Sequence, residues 1–224
     1  MLEAEQTSPL RNPGKRFLVN YSKHITIWIL PALLMLMLTG CASSVTYVID
    51  VAYAPQIKDQ APGQTEAVRI AVIPFEDARE NKKGIGTRLR LTGQTDEFEA
   101  RPYPASTAVT DTLLSALRIR GYNPVIAPRG KDNAAIAEGT SSQVVLSGRI
   151  EDLWAEAVSK PGHTDIKTNV TLKVSIYRAD DRSTRTITVQ SQSDPQVVLF
   201  SPGILQNAIN ETLTDVINKL LLNL

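Results

Sequence analysis

Apolar residues recur with a helical period over residues 105–120. Gly121 follows this segment, where a left-handed residue commonly ends a helix, and Ser106 or Thr107 is suited to cap its start. The pattern therefore predicts an amphipathic helix. Its apolar face comprises Val109, Leu113, Ala116 and Leu117.

A longer helical pattern runs through residues 202–221. Ser201 is a favourable capping residue, and Pro202 suits the first position of a helix. The apolar stripe is broad, which is typical of a helix that packs across a sheet. It comprises Leu205, Ala208, Ile209, Leu213, Val216, Ile217, Leu220 and Leu221.

Alternating patterns predict antiparallel strands in the second half of the chain. Apolar and polar residues alternate over 168–178, as in a strand with one buried and one solvated face, and residues 185–192 repeat the pattern. Residues 143–151 also alternate. Trp154 continues that parity, while Asp152 interrupts it and indicates a β-bulge.

Residues 68–75, VRIAVIPF, are nearly all apolar and rich in β-branched side chains. This composition is typical of a strand buried on both faces near the middle of a sheet. Residues 122–127 predict another short strand, and a small helix is indicated around 133–138. The order predicts an α+β fold with a single mixed or antiparallel sheet and two main helices packed on one face.

Two segments have no sustained period. Residues 76–104 are rich in charge, Gly and Thr, and they predict a loop; loops of this length are usually functional or disordered. Residues 42–67 indicate a tether, although SVTYVIDVAY within it (44–53) is β-prone and is also suited to an edge strand.

The N-terminal segment has the pattern of a targeting signal. Basic residues precede an apolar run over 25–38, which is shorter than the about 20 apolar residues that a membrane-spanning helix needs. Small residues follow this run, so the combination predicts a secretory signal peptide. The basic residues are Arg11, Lys15, Arg16 and Lys23.

Leu38-Thr39-Gly40-Cys41 at the end of this run resembles the lipobox of bacterial lipoproteins. The resemblance implies that signal peptidase recognises the first three residues, that the chain is cut after Gly40, and that Cys41 carries a diacylglyceryl thioether. Ala42, in place of the aspartate that favours inner-membrane retention in such proteins, implies the outer membrane. A buried core cysteine and a retained membrane helix are the alternatives.

These patterns predict three regions. Residues 1–40 are a lipoprotein signal peptide, 41–67 a lipidated N-terminus and tether, and 68–224 a single periplasmic α+β domain.

The segments of this domain resemble the YajG-type bacterial lipoproteins, an uncharacterised envelope family. The likeness rests on VRIAVIPF, VTDTLLSALRIRGY, VVLSGRIEDLWAE, NVTLKVSIYR and ILQNAINETLTDVIN. It implies an α+β fold and an outer-membrane address, and it brings no active-site residues. The first strand is also similar, more loosely, to that of auxiliary lipoproteins of ABC transport systems and other envelope lipoproteins that act through protein contacts.

The composition limits the function classes further. The chain has 24 basic and 23 acidic residues, and this balance argues against a general nucleic-acid binder. One cysteine excludes an internal disulfide framework and a Cys-cluster zinc site, and two histidines exclude a multi-His metal site. We expect no cofactor and no metal.

Few residues suggest catalysis. His163 lies in KPGHTD, a predicted hairpin loop, where a general base would need an orienting group such as Asp165. The adjacent acids Glu151 and Asp152 point to opposite faces if they lie on a strand, so they cannot converge on one substrate. The glycines in Gly84-Ile85-Gly86 lack the spacing of a phosphate-binding loop. We expect no catalytic residue.

Lys82, Lys83, Arg88 and Arg90 cluster within the predicted loop. A solvated loop is one interpretation, and a docking site for an acidic partner or lipid head groups is the other. The sequence therefore predicts a non-enzymatic lipid-anchored lipoprotein with a protein partner in the envelope. The alternative is an accessory subunit of an export or ABC-type transport machine.

Overall fold

One mixed sheet of ten strands organises the described part of the chain. The computed structural model describes residues 43–55 and 68–224. The strands are β1 (Thr46–Asp50), β2 (Arg69–Val72), β3 (Glu76–Asp77), β4 (Gly86–Leu89), β5 (Thr95–Arg101), β6 (Asn123–Ile126), β7 (Val144–Lys160), β8 (His163–Arg178), β9 (Thr184–Ser193) and β10 (Gln196–Val197). The helices are α1 (Ala105–Ile119), α2 (Asn133–Thr140) and α3 (Pro202–Leu221).

The long strand β7 is the centre of this sheet. Along one edge it pairs in parallel with β2, β3 and β4 in succession, and along the other it pairs with β8 in an antiparallel hairpin. From β7 the sheet continues through β2 to β6, through β4 and β5 to β1, and through β8 to β9. The predicted mixed sheet and α+β class are confirmed.

The main core lies where the long helices meet this sheet. β8 alternates as predicted, and its buried apolar residues share a core with the apolar stripes of α1 and α3. A second, smaller core contains Ala71 and Val145 together with Ile136 and Ala137 of α2. Because neighbouring residues on a strand point to opposite faces, α2 covers the other face of the sheet.

The helix ends match the sequence in part. The Ser201 side chain accepts a hydrogen bond from the Ile204 amide, and Pro202 is the first residue of α3. Gly121 has φ 84°, as predicted for the end of the first long helix. The predicted cap of α1 is wrong, because Pro104 stands at that position and makes no side-chain cap.

The predicted tether over 42–67 does not hold for its first half. β1 pairs in parallel with β5 as an edge strand, and Ile49, Val51 and Tyr53 are buried. The backbone amides of Ala52 and Ala54 donate to side chains of α3. Residues 44–224 thus form one compact unit, and the domain begins well before residue 68.

Residues 76–104 contain three strands rather than forming one loop. β4 and β5 form an antiparallel hairpin that joins β7 to β1. In β5 the buried positions are Asp96, Phe98 and Ala100. A buried aspartate among exposed charges conceals the alternation, and this is why the sequence pattern failed here.

The predicted parity of β7 is wrong beyond residue 150. The register shifts between Ile150 and Asp152, so a bulge lies where Asp152 suggested one. The extra residue reverses the faces, and Leu153, Ala155 and Ala157 point into the core. Trp154 therefore lies on the opposite face, half-buried.

Within the described residues, no helix has both the length and the hydropathy needed to cross a membrane.

Candidate functional site

The predicted lipidation site, Leu38 to Cys41, lies outside the described residues. The chain that follows it enters the sheet almost at once. The Val45 amide donates to the Asp96 carboxylate at 3.1 Å, and the Val45 carbonyl accepts from the Glu97 amide at 3.0 Å. Four residues after Cys41, the backbone is therefore fixed to the edge of the sheet.

Asp96 is the polar centre of this region. Its carboxylate is fully buried and accepts two hydrogen bonds from Arg90, at 2.7 Å from Nε and 2.5 Å from Nη2. The hydrogen bond to Asp96 raises the pKa of the Arg90 guanidinium, which stays charged. Asp96 thus joins β1 to the end of β4, and Arg90 has a structural partner.

The four basic residues predicted as one docking loop are separated by the fold. Lys82 and Lys83 are exposed between β3 and β4. Arg88 lies on β4, where its guanidinium stacks 4.0 Å from the Phe200 ring centroid and donates to Ser159 Oγ at 3.2 Å. Because Arg88 and Arg90 are held by these contacts, Lys82 and Lys83 are the members of the set left exposed at the turn.

Arg79 is a buried cation that the sequence did not single out. It is 5% exposed, and it donates to the Asp77 carboxylate, to the Gly84 carbonyl at 2.7 Å and to the Leu153 carbonyl at 3.1 Å. Desolvation by burial would raise the pKa of Asp77, but the hydrogen bonds and charge of Arg79 outweigh it and lower that pKa. Arg79 fixes the connection between β3 and β4.

The two glycines of Gly84-Ile85-Gly86 have a structural role in the sheet. A Cβ on Gly84 would lie 2.7 Å from the Phe98 carbonyl oxygen, and one on Gly86 would lie 2.0 Å from the Ala155 carbonyl oxygen. Both distances are shorter than any ordinary contact, so these positions allow β4 to approach its neighbours closely.

His163 begins β8, directly after the turn from β7. Its Nε2 lies 3.6 Å from Asp165 Oδ1, and Lys160 Nζ lies 2.6 Å from Oδ2. Hydrogen bonds from Gln196 and Lys160 lower the pKa of the Asp165 carboxyl. Asp165 therefore connects β10 to the hairpin and stays ionised, and its closest contacts are with these two residues rather than with His163.

The polar side of β7, β8 and β9, away from α1 and α3, forms an open face of the sheet with two depressions. The first has a volume of about 450 Å³ and is bordered by Arg129, Arg149, Lys173 and Glu76. Arg129 donates to the carbonyls of Pro74 and Phe75, so its guanidinium is held at the rim. This end of the open face is mainly basic.

The second depression lies beyond the bulge and is mainly acidic. It has a volume of about 640 Å³ and is bordered by Trp154, Asp152, Glu156 and Asp194, with Lys167 among them. Asp152 accepts a hydrogen bond from Asn169 Nδ2 at 2.5 Å, whereas Glu151 pairs with Arg149. The neighbouring acids 151 and 152 thus have different partners, which gives them no shared site.

Trp154 is the main residue that sequence reasoning misplaced. Its ring lies among carboxylates on an accessible face, and the face of an aromatic ring attracts cations. Counting the bulge at Asp152 as one added residue in the alternation would have placed Trp154 on the correct face. Among the described residues, no group of three or more His, Cys, Asp and Glu side chains is arranged to hold a metal ion.

No protein-family model matches the chain, and no curated protein matches it. Several solved structures are similar. A DUF330 protein from Xanthomonas campestris is 15% identical over 79% of this chain and 92% of that chain, with a TM-score of 0.48.

Two other similar structures are a PelC dodecamer and a lipoprotein. PelC from Paraburkholderia phytofirmans is 12% identical over 70% of this chain and 92% of its own, with a TM-score of 0.37. The lipoprotein, from Neisseria meningitidis, is 9% identical over 67% of this chain and 99% of its own, with a TM-score of 0.35. At this level of similarity, these proteins assign no function to this chain.

Proposed function

We propose that this protein is a lipid-anchored envelope lipoprotein whose α+β domain acts as a non-enzymatic interaction module at the periplasmic face of the outer membrane. The observation that carries the proposal is Leu38-Thr39-Gly40-Cys41 at the end of a short apolar run, with a compact domain starting at Ser44. A signal peptide, a cleavage site and a folded domain follow one another with almost no intervening chain.

The chemistry of Cys41 is consistent with this role. Cys41 is the one cysteine in the sequence, so no second thiol competes for it in an oxidising compartment. Each acyl CH₂ buried in a membrane contributes about 0.8 kcal/mol, and two or more chains give stable anchoring. Ala42 after the cysteine supports the outer membrane over the inner one.

The interaction role is supported by how the polar side chains are used. Arg79, Arg90 and Asp165, which are charged groups with several partners each, hold strands and turns together. The open face instead presents a basic and an acidic depression side by side. Such a charge pattern favours an oriented protein partner of complementary charge.

Lipidation is tested by producing the full chain in a Gram-negative cell with and without globomycin. We expect the inhibitor to cause an unprocessed precursor to accumulate, and mass spectrometry of untreated protein to find an N-terminal Cys41 with a diacylglyceryl adduct. Cys41→Ser is the matched control, and it should accumulate unprocessed in both conditions. A bare Cys41 with residues 1–40 attached would refute the proposal.

The interaction role is tested by placing a photo-crosslinking residue at Lys167 on the open face and, as the control, at Lys219 on α3. We expect a discrete adduct from position 167 that is reduced by Lys173→Glu and Glu156→Lys, because each change removes most of the charge that distinguishes its depression. Equal adducts from both positions would argue against the open face as the partner surface.

A further inference from the structure

One end of the sheet receives the chain that comes from Cys41. β1 begins there, β4 ends there, and the turn between β7 and β8 lies at the same level. The strand pairing shows that these parts lie side by side. Thr46 of β1 pairs with Glu97 of β5, and Leu89 of β4 pairs with Thr95 of β5 and Val158 of β7. Gln196 of β10 pairs with Asp165 near the start of β8. We call this the anchor end of the domain.

The anchor end exposes large apolar side chains. Val198 and Leu199, which follow β10, are each 79% exposed, and Leu91, which follows β4, is 65% exposed. Leu89 and Val45 are 43% and 38% exposed. Val198 and Leu199 are adjacent to Phe200, whose ring lies against Arg88 of β4. The apolar groups from β4 and β10 therefore belong to one side of the molecule.

The chain length between Cys41 and the sheet is short. Val45 is fixed by its hydrogen bond to Asp96, and four residues span at most about 14 Å when fully extended. A lipid on Cys41 would therefore keep the anchor end within about that distance of the membrane surface. So short a connection favours the anchor end over the far end as the surface that meets the lipid.

Two of the cations at the anchor end are paired with carboxylates. Arg90 is neutralised by Asp96, and Lys160 by Asp165. The Lys160 side chain is half exposed, so its ammonium group is accessible to a lipid phosphate. These two ion pairs therefore bring no unpaired charge of their own to the lipid head groups.

We propose that the anchor end rests in the lipid surface, with Leu91, Val198 and Leu199 entering the interface between head groups and acyl chains. This inference rests on the proposed lipid anchor. The anchor raises the local concentration of the apolar side chains at the membrane, so a contact that is weak in the unattached protein becomes permanent. The domain then has a fixed orientation, with the start of β7 and the edge strand β6 pointing away from the membrane.

The test attaches the protein to vesicles through its one thiol. Mature chain 41–224 is coupled by Cys41 to a maleimide lipid in phosphatidylethanolamine–phosphatidylglycerol vesicles that carry bromine on the acyl chains near the head groups. Trp154→Phe removes the one tryptophan of the mature chain. In that background, L199W reports the anchor end. I126W reports the far end, about 40 Å away along β7.

We expect bromine to quench the L199W emission strongly and the I126W emission not at all. Leu91→Ser with Val198→Ser should reduce the quenching of L199W. In the uncoupled protein, the same pair should lower vesicle partitioning by about tenfold per apolar side chain removed. Equal quenching of both reporters, as for a domain that tumbles on its anchor, would overturn the inference.

A second copy of the chain is the competing occupant of this surface. If sedimentation shows a dimer that Leu199→Ser converts to a monomer, and L199W is not quenched, the anchor end is a protein interface and the inference is wrong. Because maleimide supplies the anchor, these results do not depend on lipidation in cells. Failure here leaves the proposed lipoprotein function standing, and failure of the globomycin test leaves this vesicle result unchanged.

Discussion

At the scale of single residues, burial decides what an ion pair contributes. Arg79 with Asp77 and Arg149 with Glu151 have the same spacing along the chain, an arginine and an acid two residues apart. Arg79 is 5% exposed and also holds two carbonyl groups, whereas the Arg149 side chain is 49% exposed and holds one carboxylate. The two pairs therefore form a natural comparison.

Arg79→Ala should lower the free energy of unfolding by about 2–3 kcal/mol, because it leaves a buried carbonyl and a carboxylate without their donor. Arg149→Ala, the matched control, should change it by no more than about 0.5 kcal/mol. Chemical denaturation with circular dichroism measures both. Equal losses for the two variants would show that Arg79 is not the fixed point of the β3–β4 connection.

The same pair predicts a pH dependence. Arg79 holds the pKa of Asp77 in the folded protein below the ordinary value of 3.8. The unfolded chain therefore takes up a proton first as the pH falls, so the stability that ionised Asp77 provides is present above 3.8 and is lost below it. The difference in unfolding free energy between wild type and Asp77→Asn should be constant near neutral pH and shrink as the pH falls through this window. A difference that grows on acidification would contradict the sign.

The role of a single residue could be predicted from the sequence where that role depends only on neighbouring residues. The resemblance of residues 38–41 to a lipobox and the alternation of β8 both depend on adjacent residues, so they can be recognised without the fold. Asp96 and Arg79 look like ordinary surface charges, because their partners come from other strands and the register that brings them together is not in the sequence pattern. The predicted basic cluster failed for the same reason.

At the scale of elements, the two long helices and the strands with simple alternation were predicted, and the β4–β5 hairpin was not. Its strands approach their neighbours through glycine, and a fully buried aspartate stands at an inward position. The β7 bulge is a related case, because one added residue reverses every later side chain. Both features depend on pairing partners that a single strand does not specify.

Gly86→Ala should separate β4 from β7, because the new Cβ would lie 2.0 Å from the Ala155 carbonyl oxygen. We expect a loss of about 3 kcal/mol in unfolding free energy, as for other forced backbone shifts. Hydrogen exchange should increase first in β4, β5 and β1.

Gly139→Ala is the control, since it lies in α2 with no atom within 4 Å of its added Cβ. It should raise stability by about 0.5–1 kcal/mol. If Gly86→Ala left the free energy of unfolding unchanged, β4 and β7 would not approach each other as closely as the structure shows.

At the scale of the whole molecule, the segment next to the predicted lipid is part of the fold. β1 closes one edge of the sheet, and the residues after it run along α3, where Asp50, Ala52 and Ala54 donate backbone hydrogen bonds to its side chains. The sequence suggested a strand here, but the surrounding tether interpretation was wrong because the segment has no sustained period and its partners lie far along the chain. The predicted anchor would therefore lie close in the chain to residues that belong to the core.

This connection predicts that the domain cannot be shortened to the boundary that composition suggests. A chain of residues 68–224 loses the buried side chains of Ile49, Val51 and Tyr53, each of which contributes about 1.5–3 kcal/mol. The sum is comparable with the whole stability of a typical domain, about 5–15 kcal/mol. We therefore expect 43–224 to unfold cooperatively, and 68–224 to be largely unfolded, by near-UV circular dichroism. Two substitutions in the longer chain separate the loss of β1 packing from other effects of truncation. Ile49→Ala truncates a fully buried side chain and should lower the free energy of unfolding by about 3 kcal/mol. Val48→Ala, the matched control, truncates a side chain that is 47% exposed and should lower it little. A stable 68–224 would show that β1 is an appendage, and it would return residues 43–55 to the role of a tether.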